Sequence, residues 1–206
     1  MRALRVAAVL GVLLFWAGTF GAGALVDGYS AREDYISSLA SRGSPVAVLG
    51  ICALLSSAAA HLATSRAVSR GWRSRWCALC IFGAAAATAS VAVFRTSCPV
   101  ERAWCASSGT AASDWIDVVH GVSVGAYEFF TLAAMLTLGA GALRRTAPAP
   151  RWLGGVSIAL AIGSMLLLAQ TSGGHVGSWQ RLWVADNLGW LLVVAWIATR
   201  RDPPVE

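Results

Sequence analysis

Residues 116–143 read IDVVHGVSVGAYEFFTLAAMLTLGAGAL and give the clearest indication of the fold. This stretch contains two acidic residues and no Lys or Arg. An α-helix rises about 1.5 Å per residue, so a helix of this length exceeds the roughly 30 Å hydrocarbon core of a bilayer. The stretch therefore predicts a transmembrane helix rather than a helix on the surface of a soluble domain.

Five further apolar stretches extend this prediction to the whole chain of 206 residues. The chain is 57% hydrophobic and 13% charged, whereas soluble domains carry about 25% charged residues. We therefore predict an all-α, polytopic membrane helix bundle and treat residues 1–206 as one integral membrane domain. The six predicted spans cover residues 6–26, 45–65, 77–94, 116–143, 152–171 and 182–199.

The distribution of arginine predicts the orientation of the bundle. All 16 basic residues are Arg, and 11 of them fall on one side of the predicted spans together with both termini. Cytoplasmic loops are enriched in Arg and Lys, so we expect cytoplasmic termini and a multi-pass protein of the bacterial inner (plasma) membrane. The net charge of +6 is then explained by topology, and we expect no nucleic-acid partner.

The first span has two interpretations. Residues 1–5 resemble the charged start of a signal peptide, and residues 22–24 resemble a cleavage site. A retained helix is favoured because six spans pair better than five.

Small residues are expected to line the contacts between helices, because close approach of backbones replaces the hydrophobic drive that lipid does not provide. The predicted contacts involve Ala84–Ala87, Gly121 with Gly125, Gly139 with Gly141, and Gly154 with Gly155.

The cysteines divide into two pairs. Cys98 and Cys105 share the outer loop between spans three and four, where an oxidising compartment favours a disulfide. Cys77 and Cys80 lie in an apolar helix near the opposite face, where thiols are usually inert packing residues. Thiol redox chemistry is therefore a less favoured function.

Ionisable residues inside a membrane suggest a functional site. Asp117, His120 and Glu128 lie on one stripe of the fourth span, and Glu128 lies about 12 Å deeper than His120. A carboxyl group at that depth would be protonated or paired. One interpretation is a polar pocket that handles protons or binds a ligand. The other is a hydrogen-bond cluster that holds helices together.

The first outer loop is predicted to contain a short amphipathic helix. Ser30 and Glu33 have the spacing of a capping box, and Asp34 and Ser38 lie on the polar side. This helix is expected either as a lid over a pocket or as a plain surface helix.

Further polar residues are predicted at the same outer face, in the last outer loop and just inside span six. Together they complete a candidate pocket whose catalytic role is open: Asp34, Ser38, Asp117, His120, Glu128, His175, Arg181 and Asp186. His61 is expected near the cytoplasmic face, opposite the outer face where His120 and His175 are expected, so we predict no metal site and no cofactor. A site of two histidines with Asp117 or Asp34 is a less favoured alternative.

Three segments carry a family resemblance: residues 28–45, residues 117–130 and residues 177–182. Together they resemble the bacterial and archaeal membrane-protein family known as domain of unknown function 998. The resemblance implies six transmembrane helices over nearly the whole chain and directs attention to Tyr29, Ser37, His120 and Arg181. It implies no activity.

Two main functions follow from these observations. The first is binding or processing of a lipid or amphiphile in an outward-facing polar pocket. The second is a non-catalytic membrane subunit or scaffold with a membrane-protein partner or a second copy of itself. A proton-coupled carrier that uses Glu128 is less favoured. Membrane lipids are the expected partners in all three cases.

Overall fold

The computed structural model describes residues 1–72, 74–97 and 114–200. Within these ranges the chain forms six long helices, each apolar enough to cross a membrane, which confirms the all-α bundle. Their bounds are α1 Arg2–Ala24, α2 Ala47–Gly71, α3 Arg75–Val93, α4 Trp115–Leu143, α5 Arg151–Gln170 and α6 Val176–Arg200. The protein is therefore a multi-pass membrane protein.

Each helix packs against the next along the chain, and α6 packs back on α1 and α2 to close the bundle. Large apolar side chains remain on the outside; Leu13, Phe129 and Leu166 are each more than half exposed. An apolar surface of this kind suits lipid contact. Because six helices cross in alternating directions, both termini lie at one end. We call it the Arg-rich end.

The opposite end carries residues 28–44, which we call the strap. The strap contains a 3₁₀ helix, Ile36–Ala40, in the loop where a short helix was predicted. This helix is more buried than an amphipathic surface helix would be, since Leu39 is fully buried. A Cβ atom added at Gly50 on α2 would lie 2.6 Å from the Ala40 nitrogen. The glycine therefore lets the 3₁₀ helix rest directly on α2.

The capping box predicted for Ser30 and Glu33 is wrong, because the 3₁₀ helix begins at Ile36 and has no side-chain cap. The Ser30 N–H donates to the Asp34 carboxylate at 2.7 Å, and the Glu33 carboxylate instead contacts His175 at 2.7 Å. Ser30 begins a tight turn, in which its carbonyl accepts from the N–H groups of both Glu33 and Asp34. The carboxylate that accepts from the Ser30 N–H therefore belongs to Asp34 rather than to Glu33.

Glycines mediate some of the predicted helix contacts. A Cβ atom at Gly139 would lie 3.1 Å from the Gly154 carbonyl, so α4 and α5 approach closely there. By contrast, a Cβ atom at Gly121, Gly125 or Gly155 would meet nothing within 4 Å. The prediction that these three residues lie in contacts between helices is therefore wrong, because they face outwards.

The sixth helix begins six residues before the predicted span. Gln180 and Arg181 consequently lie in its first turns rather than in a loop. Trp183 is 3% exposed, inside the bundle rather than at a membrane interface. The polar residues before Leu182 lowered the local hydropathy and delayed the predicted start.

The cysteine predictions are only partly within the described ranges. Cys98 and Cys105, the predicted disulfide pair, lie outside them. Cys52, Cys77 and Cys80 are free thiols. Cys77 is fully buried, and its thiol lies 3.9 Å from the Ala134 carbonyl oxygen.

Candidate functional site

The eight predicted pocket residues do not form one pocket. They form three groups, two at the strap end and one deeper within the bundle. The first comprises Asp34, Ser38, His175 and Arg181 around the strap; the second, Asp117 and His120 at the start of α4; the third, Glu128 and Asp186 within the bundle.

Arg181 fastens the strap to α6. Its guanidinium donates to the carbonyls of Ala31 at 2.7 Å, Asp34 at 3.0 Å and Gly177 at 2.9 Å. It also donates to the Tyr29 hydroxyl at 2.5 Å. Burial raises the pKa of Tyr29, although the neighbouring Arg181 opposes that shift. The guanidinium satisfies strap carbonyls that no helix or sheet would otherwise pair.

Other contacts repeat the same connection between the strap and the start of α6. The Ile36 N–H donates to Gln180 Oε1 at 2.5 Å, and the Ser178 N–H donates to the Arg32 carbonyl at 3.1 Å. Gly177 packs directly on strap backbone, since an added Cβ atom would collide with the Asp34 carbonyl oxygen. Two of the three segments that carry the family resemblance therefore meet face to face.

Asp34 and Ser38 are both 3% exposed and serve the shape of the strap. Asp34 accepts from the Ser30 N–H, as described above. The Ser38 carbonyl accepts from the Ser41 hydroxyl at 2.7 Å, just after the 3₁₀ helix. The Asp34 side chain therefore stabilises one turn of the strap, and the Ser38 backbone carbonyl takes part in another.

His175 lies on the exposed side of the contact between the strap and α6. Its backbone has a φ of 62°, in the left-handed region. It contacts the Glu33 carboxylate at 2.7 Å and the Arg32 guanidinium at 2.8 Å. The hydrogen bond from His175 lowers the pKa of Glu33. The joint between the strap and α6 therefore has a solvated, charged rim around the buried Arg181 contacts.

A second polar contact joins the strap to the segment after α3 and to the start of α4. Arg42 donates to Asp114 at 2.7 Å and to the Ser97 hydroxyl at 2.8 Å. Ser97 in turn donates to Asp117 through its backbone N–H at 2.6 Å and its hydroxyl at 2.7 Å. Asp114 caps α4, and the hydrogen bond from Arg42 lowers the pKa of Asp114. Asp117 is therefore part of a structural network.

His120 ties α4 to the end of α3. Its Nδ1 lies 2.8 Å from the Phe94 carbonyl, and its side chain is 9% exposed. This contact satisfies one of the carbonyls that every helix leaves unpaired at its end. His120 and Asp117 thus fix where α4 begins relative to α3.

Glu128 forms a buried hydrogen-bond cluster between three helices. Its carboxylate accepts from Ser164 on α5 at 2.8 Å. It also accepts from the Trp183 indole at 3.0 Å and the Asn187 amide at 3.4 Å, both on α6. These partners are neutral, so Glu128 is hydrogen-bonded but not ion-paired through them. The structure thus matches the interpretation of a cluster that holds helices together.

Asp186 lies beside this cluster but differs from Glu128 in its contacts. Its Oδ2 atom is buried and has no hydrogen-bond partner among the described residues. Its Oδ1 atom lies 3.7 Å from the position that a Cβ atom would take at Gly163 on α5. The buried Oδ2 atom of Asp186 therefore takes no part in the hydrogen bonds around Glu128.

An apolar cavity of about 60 Å³ lies under the 3₁₀ helix. Ile36 and Ser37 of the strap cover it, and Gln180 stands beside them. The walls come from α1, α2, α3, α4 and α6: Phe15, Leu54, Ser57, Thr88, Val91, Val124, Tyr127, Trp183 and Val184. None of the eight predicted pocket residues is among the residues that line this cavity.

The buried polar residues position the walls of the cavity. Trp183 lines the cavity with its ring and donates its N–H to Glu128. Tyr127 stands between Trp183 and His61, with ring centroids 5.6 Å and 5.5 Å apart in edge-on contacts. His61 contacts the Ser57 carbonyl at 2.8 Å. The expectation that His61 lies near the opposite face is wrong, because α2 continues for ten residues beyond it.

Sequence reasoning missed Ser164, Trp183 and His61 as members of this interior. Trp183 and Asn187 are four residues apart and share a helix face, a signal that depends on starting α6 at Val176. Ser37 was singled out by the family resemblance, and it does line the cavity. In the part of the chain described, no group of three His, Cys, Asp or Glu side chains is placed to hold a metal ion.

Comparison with known families places the chain in one family. A family model described as "Protein of unknown function (DUF998)" matches residues 9–197. The chain therefore belongs to this family, as its three characteristic segments indicated. No curated protein and no solved structure matches the chain.

Proposed function

We propose that this DUF998 protein binds the apolar chain of a lipid or other amphiphile in the cavity beneath the strap. The observation that carries the proposal is the cavity itself, which is apolar, lined by five helices and by the 3₁₀ helix. Ligand sites are mostly apolar concavities with a few polar groups that fix orientation. Ser37 and Gln180 are the polar groups available here.

The distribution of the polar residues supports binding rather than a chemical step. Arg181, His120 and Glu128 are engaged in contacts that hold the strap, α4 and the cavity wall. A general acid, base or nucleophile must reach the substrate within hydrogen-bond distance. These three residues are absent from the cavity lining, so their arrangement favours a positioning role.

The size of the cavity predicts how a ligand would sit. A volume of about 60 Å³ accommodates a segment of apolar chain and excludes a bulky headgroup. The headgroup would remain near the strap end, beside Ser37 and Gln180. Movement of the strap would admit a longer segment of the chain, and the Arg181 contacts would then set the cost of that movement.

The test is to fill the cavity and identify what the protein retains. Val124 lines the cavity, whereas Val122, two residues earlier on α4, is 66% exposed. We expect wild-type protein and V122W, extracted in a gentle detergent, to carry the same amphiphile by native mass spectrometry. V124W should lose it while unfolding at a similar detergent concentration. Equal retention by V124W would contradict the proposal.

We also propose the orientation and the location. Of the described arginines, nine lie at the end that carries the termini, and the positive-inside rule assigns that end to the cytoplasm. The strap would then face outwards from the inner (plasma) membrane. With the five native cysteines replaced by Ser, labelling of Ser37→Cys by a membrane-impermeant thiol reagent in intact cells, compared with Arg144→Cys, tests this orientation. Selective labelling of Arg144→Cys would contradict it.

A subunit or scaffold role is the second candidate. The observation that favours it is the outward position of Gly121 and Gly125 on α4, where a partner helix could approach closely. Leu substitutions at both glycines would then separate the protein from its partner or second copy in a native gel while leaving the bound amphiphile. An unchanged particle mass would count against this candidate.

A further inference from the structure

Two arginines share one tryptophan at the Arg-rich end. The Arg5 guanidinium carbon lies 4.4 Å from the Trp196 ring centroid, and that of Arg200 lies 4.8 Å from it. Arg5 belongs to the start of α1 and Arg200 to the last turn of α6. The indole thus brings together two like charges from opposite ends of the chain.

No carboxylate within the described ranges balances these charges. The seven Asp and Glu residues there all lie in the strap, at its flanks, at the start of α4 or within the bundle. Cation–π contact with an indole stabilises each guanidinium but does not neutralise it. The two guanidinium groups lie over one ring, with no described carboxylate beside them. Such a pair suits an anion, and Arg suits phosphate through its planar set of donors.

An apolar groove of about 370 Å³ begins at the same tryptophan. It is lined by Val9 of α1, Trp152 of α5, and Leu192, Trp196 and Arg200 of α6, among others. It lies on the surface of the bundle that suits lipid contact. Arg200 is therefore both a wall of the groove and a member of the charged pair.

The charged and apolar parts are arranged by depth as in a phospholipid. At 1.5 Å per residue, Val9 lies about 6 Å deeper than Arg5, and Leu192 lies about 12 Å deeper than Arg200. The guanidinium groups are therefore at the rim and the apolar walls lie towards the membrane interior. An anionic headgroup at the rim would place its acyl chains against the walls.

We propose that Arg5, Arg200 and Trp196 form a binding site for one anionic phospholipid, whose phosphate contacts the two guanidinium groups and whose chain follows the groove. This site lies at the other end of the bundle from the strap cavity and does not rest on the function proposed for that cavity.

The experiment compares two lipids that differ in headgroup charge. Purified full-length protein is incubated with dioleoyl phosphatidylglycerol or dioleoyl phosphatidylcholine, and bound lipid is counted by native mass spectrometry. We expect wild-type protein to retain one phosphatidylglycerol in preference to phosphatidylcholine. The double variant R5Q/R200Q should bind phosphatidylglycerol about thirtyfold more weakly, since each Arg contributes about 1 kcal/mol near an anionic surface.

Two control variants separate a site from general charge attraction. Arg144 and Arg145 are exposed at the same end, so R144Q/R145Q removes the same charge away from the groove. It should retain wild-type affinity, and V124W should do so as well. W196L, which keeps both arginines but removes the shared ring, should bind more weakly than wild type. Equal loss in R5Q/R200Q and R144Q/R145Q, or equal binding of both lipids, would overturn the proposal.

Discussion

The two ends of the bundle handle charge in opposite ways. At the strap end, Arg181 contacts backbone carbonyls, Arg42 pairs with Asp114, and Glu33 contacts His175. At the Arg-rich end, nine described arginines face no described carboxylate. Charged side chains at the strap end therefore contact other groups of the protein. Those at the Arg-rich end remain available for anions outside the protein. The difference shows why a count of charged residues does not identify a site.

The two ends also differ in how the helices are held. Both ends use close backbone approach, as between Gly139 and Gly154 in the Arg-rich half and between Gly177 and Asp34 at the strap end. The strap end adds hydrogen bonds from charged side chains to loops and helix starts. Substitution of a charged residue should therefore cost more stability at the strap end than at the Arg-rich end.

The largest effect is expected when Arg181 is replaced by Gln. The shorter neutral side chain cannot reach the carbonyls of Ala31 and Asp34, which would lose a charged donor in a buried place. We expect a loss of about 3 kcal/mol in the free energy of unfolding. Unfolding by a denaturing detergent measures it. R144Q at the opposite end should change it by less than about 0.5 kcal/mol, and equal effects of the two variants would refute the distinction between the ends.

The second effect concerns close packing. A Cβ atom at Gly154 would lie 3.0 Å from the Gly139 carbonyl, whereas one at Gly155 would meet nothing within 4 Å. Gly154→Val should therefore destabilise the bundle by about 2 kcal/mol through overpacking. Gly155→Val, the adjacent control, should unfold at nearly the wild-type detergent concentration. A larger loss for Gly155→Val would mean that the contact between α4 and α5 is misassigned.

A smaller effect is expected for Glu128. Ala at this position leaves Ser164, Trp183 and Asn187 without their shared acceptor, and hydrogen bonds between membrane helices contribute modestly, so we expect a loss of about 1.5 kcal/mol. E128Q keeps an acceptor oxygen and should lose less. The detergent concentration at which each variant unfolds measures the loss. An unchanged unfolding concentration in E128A would argue against the cluster.

The smallest effect is the pH dependence of the strap end. The pKa of Asp114 is lowered by Arg42, so the stability it contributes is complete above its unfolded pKa of about 3.9. That stability is lost as the pH falls through the lower pKa of the folded state. Asn also caps helices, so D114N removes the charge and keeps the cap. The unfolding midpoint of D114N should fall less than that of wild type between pH 6 and pH 3; parallel curves would contradict the ion pair.

The sequence predicted the six helices because long apolar stretches leave few alternatives in a chain with so little charge. It also predicted the residues that matter at the strap end, since Arg181, Asp117 and His120 all make specific contacts. It did not predict that these residues hold the strap rather than line a pocket. That distinction depends on which backbone carbonyls face Arg181. The spacing of polar and apolar residues along a helix does not contain this information.

The errors have physical causes. Val176 begins α6 among polar residues, where hydropathy is low, so the helix start was placed late. His61 was assigned to the wrong depth because α2 extends to Gly71 beyond the predicted span. Gly121 and Gly125 have the spacing of a contact between helices, but spacing does not reveal whether a partner lies within the same chain.

Lipid retention at the two ends of the bundle can be compared in one experiment. Native mass spectra would be recorded for wild type, V124W, R5Q/R200Q and the combined variant, after the same gentle extraction. We expect V124W to lose only the amphiphile of the strap cavity, R5Q/R200Q to lose only the anionic phospholipid, and the combined variant to lose both. Loss of both lipids in either separate variant, or of neither in the combined one, would contradict two independent sites with different chemistry.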